Sequence, residues 1–358
     1  MADGFAAAGC RVEILTARGW YFAATTVLPF PLHEYGRFAT AFDRFAERLQ
    51  RGPNAGRRRW VRRAGEVLRV VVITRAAAAR ARRMGADTVV VVVSNVDAPE
   101  IVAATAGHGR WLSYVHFTPR RPGRWGRIVG QVAGRAERAR RARGGRNVVG
   151  APSVELRDEW AQAWPGLGMT VLPLPGAADV PVVEDARAEL GIDPSLRIAL
   201  LFGMRHAEKD PETVFAAFAD LDDWHLVVAG TVADDLPPSA RVLRRYPGYV
   251  DDRTRALLLS AADLVVVSYQ PGYVRESGNL RDAVARGVPV VCSDRSAPAD
   301  VVRGYRLGVV FEAGNAASLV RAVRAAPGGV DAADLVRIRA EVTAGAEHAL
   351  RALGVRFS

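Results

Sequence analysis

The sequence predicts an α/β protein with two domains, each a doubly wound parallel sheet, and three observations support this fold class. The chain has 358 residues, and domains of roughly 100–200 residues make two the natural number. Short runs of Val, Ile and Leu without polar alternation are typical of parallel strands buried on both faces. These runs alternate with helical segments on both sides of a proline-rich stretch, which predicts two Rossmann-like domains.

The predicted strands and helices follow one another along both halves of the chain. The predicted strands are 11–16, 88–94, 111–116, 147–151, 170–174, 198–203, 224–230, 245–250, 264–268, 288–293 and 308–311. The clearest predicted helices are 185–190, 210–219, 252–262, 280–286 and 334–353. Pro173, Pro175 and Pro181 resist helix and place a hinge near 173–183. We therefore expect an N-terminal domain at 1–175, a C-terminal domain at 176–335 and a closing helix at 336–358.

Charge is distributed unevenly over a chain whose net charge is +11. The first 173 residues hold 28 Arg against 13 acidic residues, whereas the remaining 185 hold 21 basic and 25 acidic residues. A basic first half favours anionic partners such as lipid headgroups or a phosphorylated acceptor. Of the 49 basic residues 48 are Arg, so Lys209 is the only lysine of the chain.

Composition also excludes several classes of protein. No apolar stretch approaches the roughly 18–20 residues that span a bilayer, and the N-terminus has no basic leader, so we expect a cytoplasmic protein. Cys10 and Cys292 are too few for a disulfide framework, and both lie beside apolar runs that are typical of buried thiols. The sequence shows no metal-ligand spacing and no nucleic-acid motif, so neither partner is expected.

A basic segment at 57–63 carries five arginines around Trp60. Together with Val67, Leu68 and Val71 it resembles a basic amphipathic helix. Such a helix is either a solvated face or a peripheral contact with a membrane surface, and the sequence leaves both open.

The loop in FGMRHAEKDP joins a predicted strand, which ends at Gly203, to a helix that begins near Asp210. Ligands of α/β proteins bind at this edge of the sheet. Arg205 and Lys209 could therefore face a diphosphate, one as a planar fork and the other as a point charge. The alternative is a solvated loop whose basic residues pair with Glu208 and Glu212.

A second loop, in RESGNLRD, places Ser277 and Gly278 directly before a helix. The first turn of a helix has free N–H groups and a positive dipole end, which suit a phosphate. An ordinary helix cap at Ser277 is the alternative.

The order of the motifs resembles that of the glycosyltransferase group 1 (family 4-like) enzymes, which have the GT-B fold. The matching stretches are FGMRHAEKDP, GYVDDRTRALLLSAADLVVVSY, SGNLRDAVARGVPVVCSD and LGVVFEAGNAASLVRAV. The resemblance implies an interdomain cleft, a nucleotide-sugar donor, no cofactor, and a C-terminal helix that packs back on the N-terminal domain. It also implies catalytic roles for Arg205 and Lys209 on the donor diphosphate and for His116 at the cleft.

The resemblance further implies a set of donor-binding residues. They are Gly203, Tyr249, Val250, Glu276, Ser277, Gly278, Asn279 and Asp282. The backbone at 249–250 would meet the base, the N–H groups at 277–279 would meet the phosphate, and Asp282 would accept hydrogen bonds from the ribose.

The sequence departs from the family pattern in three places, and the first is Asp210, which stands where the family has a glycine after the lysine. The family has two glutamates separated by seven residues, but Val274 stands at the first position and Glu276 is the nearest acid. We expect Glu276 to reach the donor sugar along a different loop path. The opening MADGFAAAGCRVEILTARG matches only the family's first helix and second strand, so the first strand is expected to be missing.

The predicted activity is the transfer of a sugar from a nucleoside-diphosphate sugar to a lipid-linked or small-molecule acceptor. The resemblance implies that it is metal-independent and retaining. Two alternatives stay open, namely a GT-B nucleotide-sugar epimerase and a non-catalytic protein that binds sugar nucleotides or polyanions.

Overall fold

The structure is a computed structural model, and it describes residues 181–237 and 241–354 of the C-terminal half. In the N-terminal half it describes residues 14–17, 32–35, 79, 83–85, 88–93, 110–115, 131, 134–135, 138–139, 142, 146–164 and 169–171. The chain divides into two compact units. One contains residues 174–344, and the other contains residues 8–173 and 345–358.

The described strands of the N-terminal half are all parallel. They are β1 (Ile14–Ala17), β2 (Leu32–Tyr35), β3 (Thr88–Val93), β4 (Arg110–Val115), β5 (Arg146–Ala151) and β6 (Met169–Val171). Strands β1 and β2 pair with each other, and β3-β4-β5-β6 form a second sheet in that order. Helix α1 (Val154–Ala163) follows β5 and buries Leu156 and Trp160. Strand β2 was not predicted, because LHEY is short and half polar.

The C-terminal unit is built on a six-stranded parallel sheet. Its strands are β7 (Ile198–Phe202), β8 (His225–Ala229), β9 (Val242–Tyr246), β10 (Leu264–Val267), β11 (Val290–Ser293) and β12 (Gly308–Phe311). They lie in the order β12-β11-β10-β7-β8-β9. The chain first builds outward from β7 to β9 and then continues from β10 on the other side of β7. The topological switch point, where doubly wound proteins bind ligands, therefore lies between β7 and β10.

Helices cover both faces of this sheet, as the unbroken apolar runs predicted. They are α2 (Ala186–Glu189), α3 (Pro211–Ala219), α4 (Asp252–Ala261), α5 (Gly278–Arg286), α6 (Ala297–Gly304), α7 (Ala316–Arg324) and α8 (Ala332–Ala352). Alternate residues of β7 enter two different cores, with Leu200 and Phe202 on one face and Ala199 and Leu201 on the other. The α/β prediction with parallel sheets is confirmed in this unit.

The observed bounds of strand β9 correct the bounds that were predicted for this strand. It was expected at 245–250 but lies at Val242–Tyr246. Pro247 lacks an N–H for the ladder, and Gly248 adopts a φ of +77°, so the strand ends before them. Residues 249–250 consequently lie in the loop that precedes α4.

The first turns of α8 are anchored within the C-terminal unit. The Arg306 guanidinium donates to both carboxylate oxygens of buried Asp334, at 2.9 and 3.0 Å. Arg339 donates to the Ala285 carbonyl at 2.8 Å. The predicted packing of residues 336–358 on the N-terminal domain stays a prediction. None of the described helices combines the length and the hydropathy that a membrane crossing requires.

Candidate functional site

Two loops meet at the switch point between β7 and β10. We call residues 203–210 the lysine loop and residues 268–277 the tyrosine loop. Their backbones are joined, because the Asp210 N–H donates to the Ser268 carbonyl at 3.2 Å and the Gln270 N–H donates to the Glu208 carbonyl at 2.8 Å. The sequence predicted both loops as candidate sites, and the structure brings them together.

Lys209 is the central cation of this site. Its Nζ donates to the carbonyl of Phe202, the last residue of β7, at 3.1 Å. The side chain is half-buried, and burial lowers the pKa of the ammonium from 10.5 to about 8. Among the described residues no carboxylate forms an ion pair with it. A partly desolvated cation without a counter-ion favours an anionic ligand.

Gly203 lets the chain turn tightly beneath the lysine. Its φ is +112°, and a Cβ built there would lie 2.7 Å from Lys209 Nζ and 3.1 Å from Asn279 Oδ1. Gly230 packs against the backbone of Gly203, and a Cβ built on Gly230 would lie 2.4 Å from the Gly203 carbonyl oxygen. Both positions therefore require glycine, and the predicted site residue Gly203 shapes the floor of the site.

Asp210 stands where the family pattern has a glycine. Its carboxylate caps α3 by accepting from the Thr213 N–H at 3.3 Å and from the Thr213 hydroxyl at 2.6 Å. The helix therefore starts directly after Lys209, as Asp210-Pro211 predicted.

Helix α5 points its N-terminus into the same site. Ser277 is its cap, and its Oγ accepts from the Leu280 N–H at 3.2 Å. The Asn279 side-chain amide donates to the Phe202 carbonyl, beside Lys209. Gly278 is exposed, and a Cβ built on it meets no protein atom within 4 Å, so the space beside this first helical residue is open. The helix cap and the open first turn coexist, since capping uses the Ser277 side chain and leaves the N–H groups of 278 and 279 for a ligand.

Two buried tyrosines brace the tyrosine loop, and sequence patterns gave no sign of them. The rings of Tyr269 and Tyr273 stack at 3.7 Å between centroids with an interplanar angle of 8°. The Tyr269 hydroxyl donates to Ser277 Oγ at 2.9 Å, and the Tyr273 hydroxyl donates to the Glu276 carbonyl at 3.1 Å. The stack thereby fixes the residues that lead into α5.

Replacing Tyr269 with phenylalanine is expected to lower the free energy of unfolding by about 1 kcal/mol, because one buried hydrogen bond is lost while the ring stack remains. Urea denaturation measures the change. Tyr249→Phe is the matched control and should have no effect, since this side chain is 82% exposed. An equal effect of the two substitutions would contradict the bracing role of Tyr269.

Arg205 takes the alternative arrangement that the sequence left open. Its guanidinium pairs with Glu212 and donates to the Asp235 carbonyl at 3.1 Å. Its backbone N–H donates to Thr231 Oγ1 at 2.8 Å. The Arg205 side chain lies in the predicted loop, but its guanidinium is paired with the Glu212 carboxylate of the protein.

Asp282, the predicted ribose contact, is also engaged within the protein. Its carboxylate accepts from Arg255 Nη1 at 3.0 Å, and Arg255 also reaches Asp252 at 3.1 Å. Burial raises the pKa of the Asp282 carboxyl above its usual range, although the Arg255 charge acts in the opposite direction.

The remaining predicted residues fall in three classes. Tyr249 is exposed and Val250 is half-buried against the core, both in the loop before α4. Glu276 is half-buried in the tyrosine loop. His116 and the basic segment 57–63 lie outside the described residues.

No group of three His, Cys, Asp or Glu side chains that could hold a metal occurs in the part of the chain that the structure describes.

Comparisons with known proteins agree with the motifs. Residues 182–326 match the family described as Glycosyl transferases group 1. No curated protein matches the sequence significantly. The resemblance predicted from the motifs is therefore confirmed over residues 182–326.

Solved structures with similar folds cover most of the chain. Sucrose-phosphate synthase from Thermosynechococcus elongatus is 18% identical, with a TM-score of 0.57 over 98% of this chain and 87% of that chain. A UDP-forming alpha,alpha-trehalose-phosphate synthase from Burkholderia xenovorans is 12% identical, with a TM-score of 0.55 over 95% and 90%. HepE from Anabaena, solved with UDP, is 15% identical, with a TM-score of 0.52 over 80% and 78%. At these identities the likeness shows the fold, which is that of GT-B glycosyltransferases.

Proposed function

We propose that this chain, in which residues 182–326 form a group 1 glycosyltransferase domain, transfers a sugar from a nucleoside-diphosphate sugar without a metal ion and with retention at the anomeric carbon. The observation that carries the proposal is the convergence of Lys209 and the first turn of α5 on the carbonyl of Phe202. A donor diphosphate supplies the negative charge that this arrangement lacks.

The proposed roles follow from the chemistry of each group. The Lys209 ammonium neutralises charge that develops on the diphosphate as the glycosidic bond breaks. The N–H groups of Gly278 and Asn279, with the dipole of α5, hold the phosphate oxygens. Because these groups are already in place in the folded protein, they need little rearrangement as the charge develops. The proposal of metal independence rests on the positive charge that Lys209 and the first turn of α5 supply. The proposal of retention at the anomeric carbon rests on the family resemblance.

The remaining donor contacts stay proposals. Arg205 joins the diphosphate if it exchanges its Glu212 partner for phosphate, and Asp282 meets the ribose if Arg255 shares it. The backbone at 249–250 is proposed to meet the base, and Glu276 and His116 are proposed to contact the sugar. The acceptor would bind mainly to the N-terminal domain, whose basic segment 57–63 is proposed to contact a membrane surface.

The activity is tested by incubating the full chain with UDP-, GDP-, ADP- and dTDP-sugars, a mixture of sugar and lipid-linked acceptors, and EDTA. We expect glycosylated product whose anomeric configuration, measured by NMR, matches that of the donor. A strict requirement for Mn²⁺ or Mg²⁺ would contradict metal independence. Epimerised nucleotide-sugar without transfer would favour the epimerase, and binding without any product would favour the non-catalytic protein.

The affinity for the donor should depend on pH through Lys209. Its pKa of about 8 in the free protein rises when a diphosphate binds, since the anion stabilises the ammonium. Affinity should therefore fall by up to about tenfold per pH unit above pH 8, whereas the diphosphate charge is constant there because both phosphates of a nucleotide-sugar have only strongly acidic groups. Calorimetric titration from pH 7 to 9.5 measures the slope. Lys209→Ala should remove it, and a slope that persists in this variant would assign the titration to another group.

The same shift affects the stability of the free protein. Between about pH 8 and 10.5 the unfolded chain keeps the Lys209 proton while the folded chain releases it. The free energy of unfolding should therefore gain a contribution that increases with pH across this window.

A further inference from the structure

The lysine and tyrosine loops contain a second charged cluster that the diphosphate site does not use. Glu208, at the end of the lysine loop, pairs with the Arg275 guanidinium of the tyrosine loop. The other Glu208 contact is His206, whose Nδ1 lies 3.7 Å from Oε2. One carboxylate thus faces two nitrogen groups that suit an anion.

The members of this cluster differ in how firmly they are held. The Arg275 side chain is only 16% exposed and lies over the Tyr273 ring, 5.2 Å from its centroid. His206 Nδ1 is buried and makes no hydrogen bond to any residue that the structure describes. The Glu208 side chain is 48% exposed. The nitrogen groups are therefore built into the loops, and the carboxylate is the member that can leave for solvent.

The cluster adjoins the proposed phosphate site. Glu208 directly precedes Lys209, and Arg275 lies two residues before Ser277, the cap of α5. Desolvation by burial, followed by the nearby charges of Lys209 and Arg275, lowers the pKa of His206, so its ring meets an anion as a neutral hydrogen-bond donor. A sugar attached to a phosphate at Lys209 would be next to this cluster.

We propose that Arg275 and His206 form an anion subsite for a carboxylate on the donor sugar, and that Glu208 fills this subsite until the donor binds. The inference rests on the proposed function and narrows its substrate class to nucleoside-diphosphate sugars of the uronic acid type. A ligand carboxylate can replace Glu208 on the planar guanidinium as the acceptor of a charge-assisted hydrogen bond. A neutral hydroxymethyl group cannot, so Glu208 would stay in place against a neutral sugar.

The test uses two sugar phosphates that need no knowledge of the base, glucose 1-phosphate and glucuronic acid 1-phosphate. Dissociation constants are measured by NMR titration of the full chain. Glucuronic acid 1-phosphate should bind at least about tenfold more tightly than glucose 1-phosphate, as expected for one charge-assisted contact. Arg275→Gln should abolish this preference. Glu208→Gln should increase it, because the competing internal carboxylate is gone.

A matched ion pair serves as the control. Glu347 and Arg351 form an exposed pair on α8 at 3.0 Å, so Glu347→Gln and Arg351→Gln should leave both affinities unchanged. Equal affinity for the two sugar phosphates in the wild-type chain, or a preference that survives Arg275→Gln, overturns the inference while leaving the phosphate site standing. Absence of binding by both esters contradicts the proposed donor site itself and the subsite with it. If Arg275→Gln does not fold, the increase expected for Glu208→Gln decides alone.

Discussion

Replacement of Lys209 with alanine is expected to lower turnover by about two to three orders of magnitude. Loss of a charge-assisted contact to a buried phosphate costs about 1.5–3 kcal/mol, and the cost is larger where negative charge develops in the transition state. Steady-state kinetics with the donor that the chain uses measures the effect. The fold should persist, because burial disfavours the ammonium in the unliganded protein and its removal relieves that penalty.

Two further variants test whether the effect depends on the shape of the cation at position 209 and on its place in the site. Lys209→Arg should retain partial activity well below wild type, since Nζ lies between the Phe202 carbonyl, Gly203 and Asn279 and leaves little room for a planar fork. Arg303→Ala removes an exposed cation that pairs with Asp300, and it should leave turnover unchanged. Near-normal donor affinity and rate in Lys209→Ala would make the lysine a structural residue and move the phosphate site to the first turn of α5.

Replacement of Gly230 with alanine is expected to lower the free energy of unfolding by about 2–4 kcal/mol. The residue has a φ of +94°, where a side chain is strained, and its Cβ would lie 2.4 Å from the Gly203 carbonyl oxygen. Because Gly203 forms the floor under Lys209, the displacement should also weaken donor binding. Urea denaturation and calorimetric titration of the same variant measure the two effects.

Gly248 provides the matched control for this clash. It has a similar φ of +77°, but a Cβ built there meets nothing within 4 Å. Gly248→Ala should therefore cost only the backbone strain, about 1 kcal/mol. Equal destabilisation by the two substitutions would show that a side chain at position 230 does not clash with Gly203 of the lysine loop.

The C-terminal sheet was predictable because burial on both faces leaves a direct trace in the sequence. Strands such as LVVV at β10 and IALLF at β7 are apolar throughout, since helices cover both sides. Strand β9 lies at the edge of the sheet, and its VLRRY sequence exposes arginines. It carries no continuous apolar run, so the prediction was displaced toward the loop at 247–250.

The candidate site was predictable where local chemistry defines it. Asp210-Pro211 and Ser277-Gly278 are helix starts, and each places a loop at the edge of the sheet. The choice of partner could not be predicted, because it depends on tertiary distance. Arg205 had a ligand phosphate, Glu208 and Glu212 as plausible partners in the sequence, and the structure shows the pair with Glu212.

The pair formed by Glu208 and Arg275 illustrates the same limit. Its members are far apart in the chain and meet only because β7 and β10 are neighbours in the sheet. No periodicity or motif links such residues. Likewise, the stack of Tyr269 on Tyr273 follows from the path of the tyrosine loop, which the sequence does not encode in a recognisable pattern.

The central claim is that Lys209 and the first turn of α5 bind a nucleoside diphosphate without a metal. Calorimetric titration of the full chain with UDP, GDP, ADP and dTDP in EDTA at pH 7 tests it most directly. We predict that at least one of them binds and that Lys209→Ala weakens its affinity at least about tenfold, as loss of one charge-assisted contact requires. Binding of none of the four, or equal affinity in Lys209→Ala, would contradict the claim.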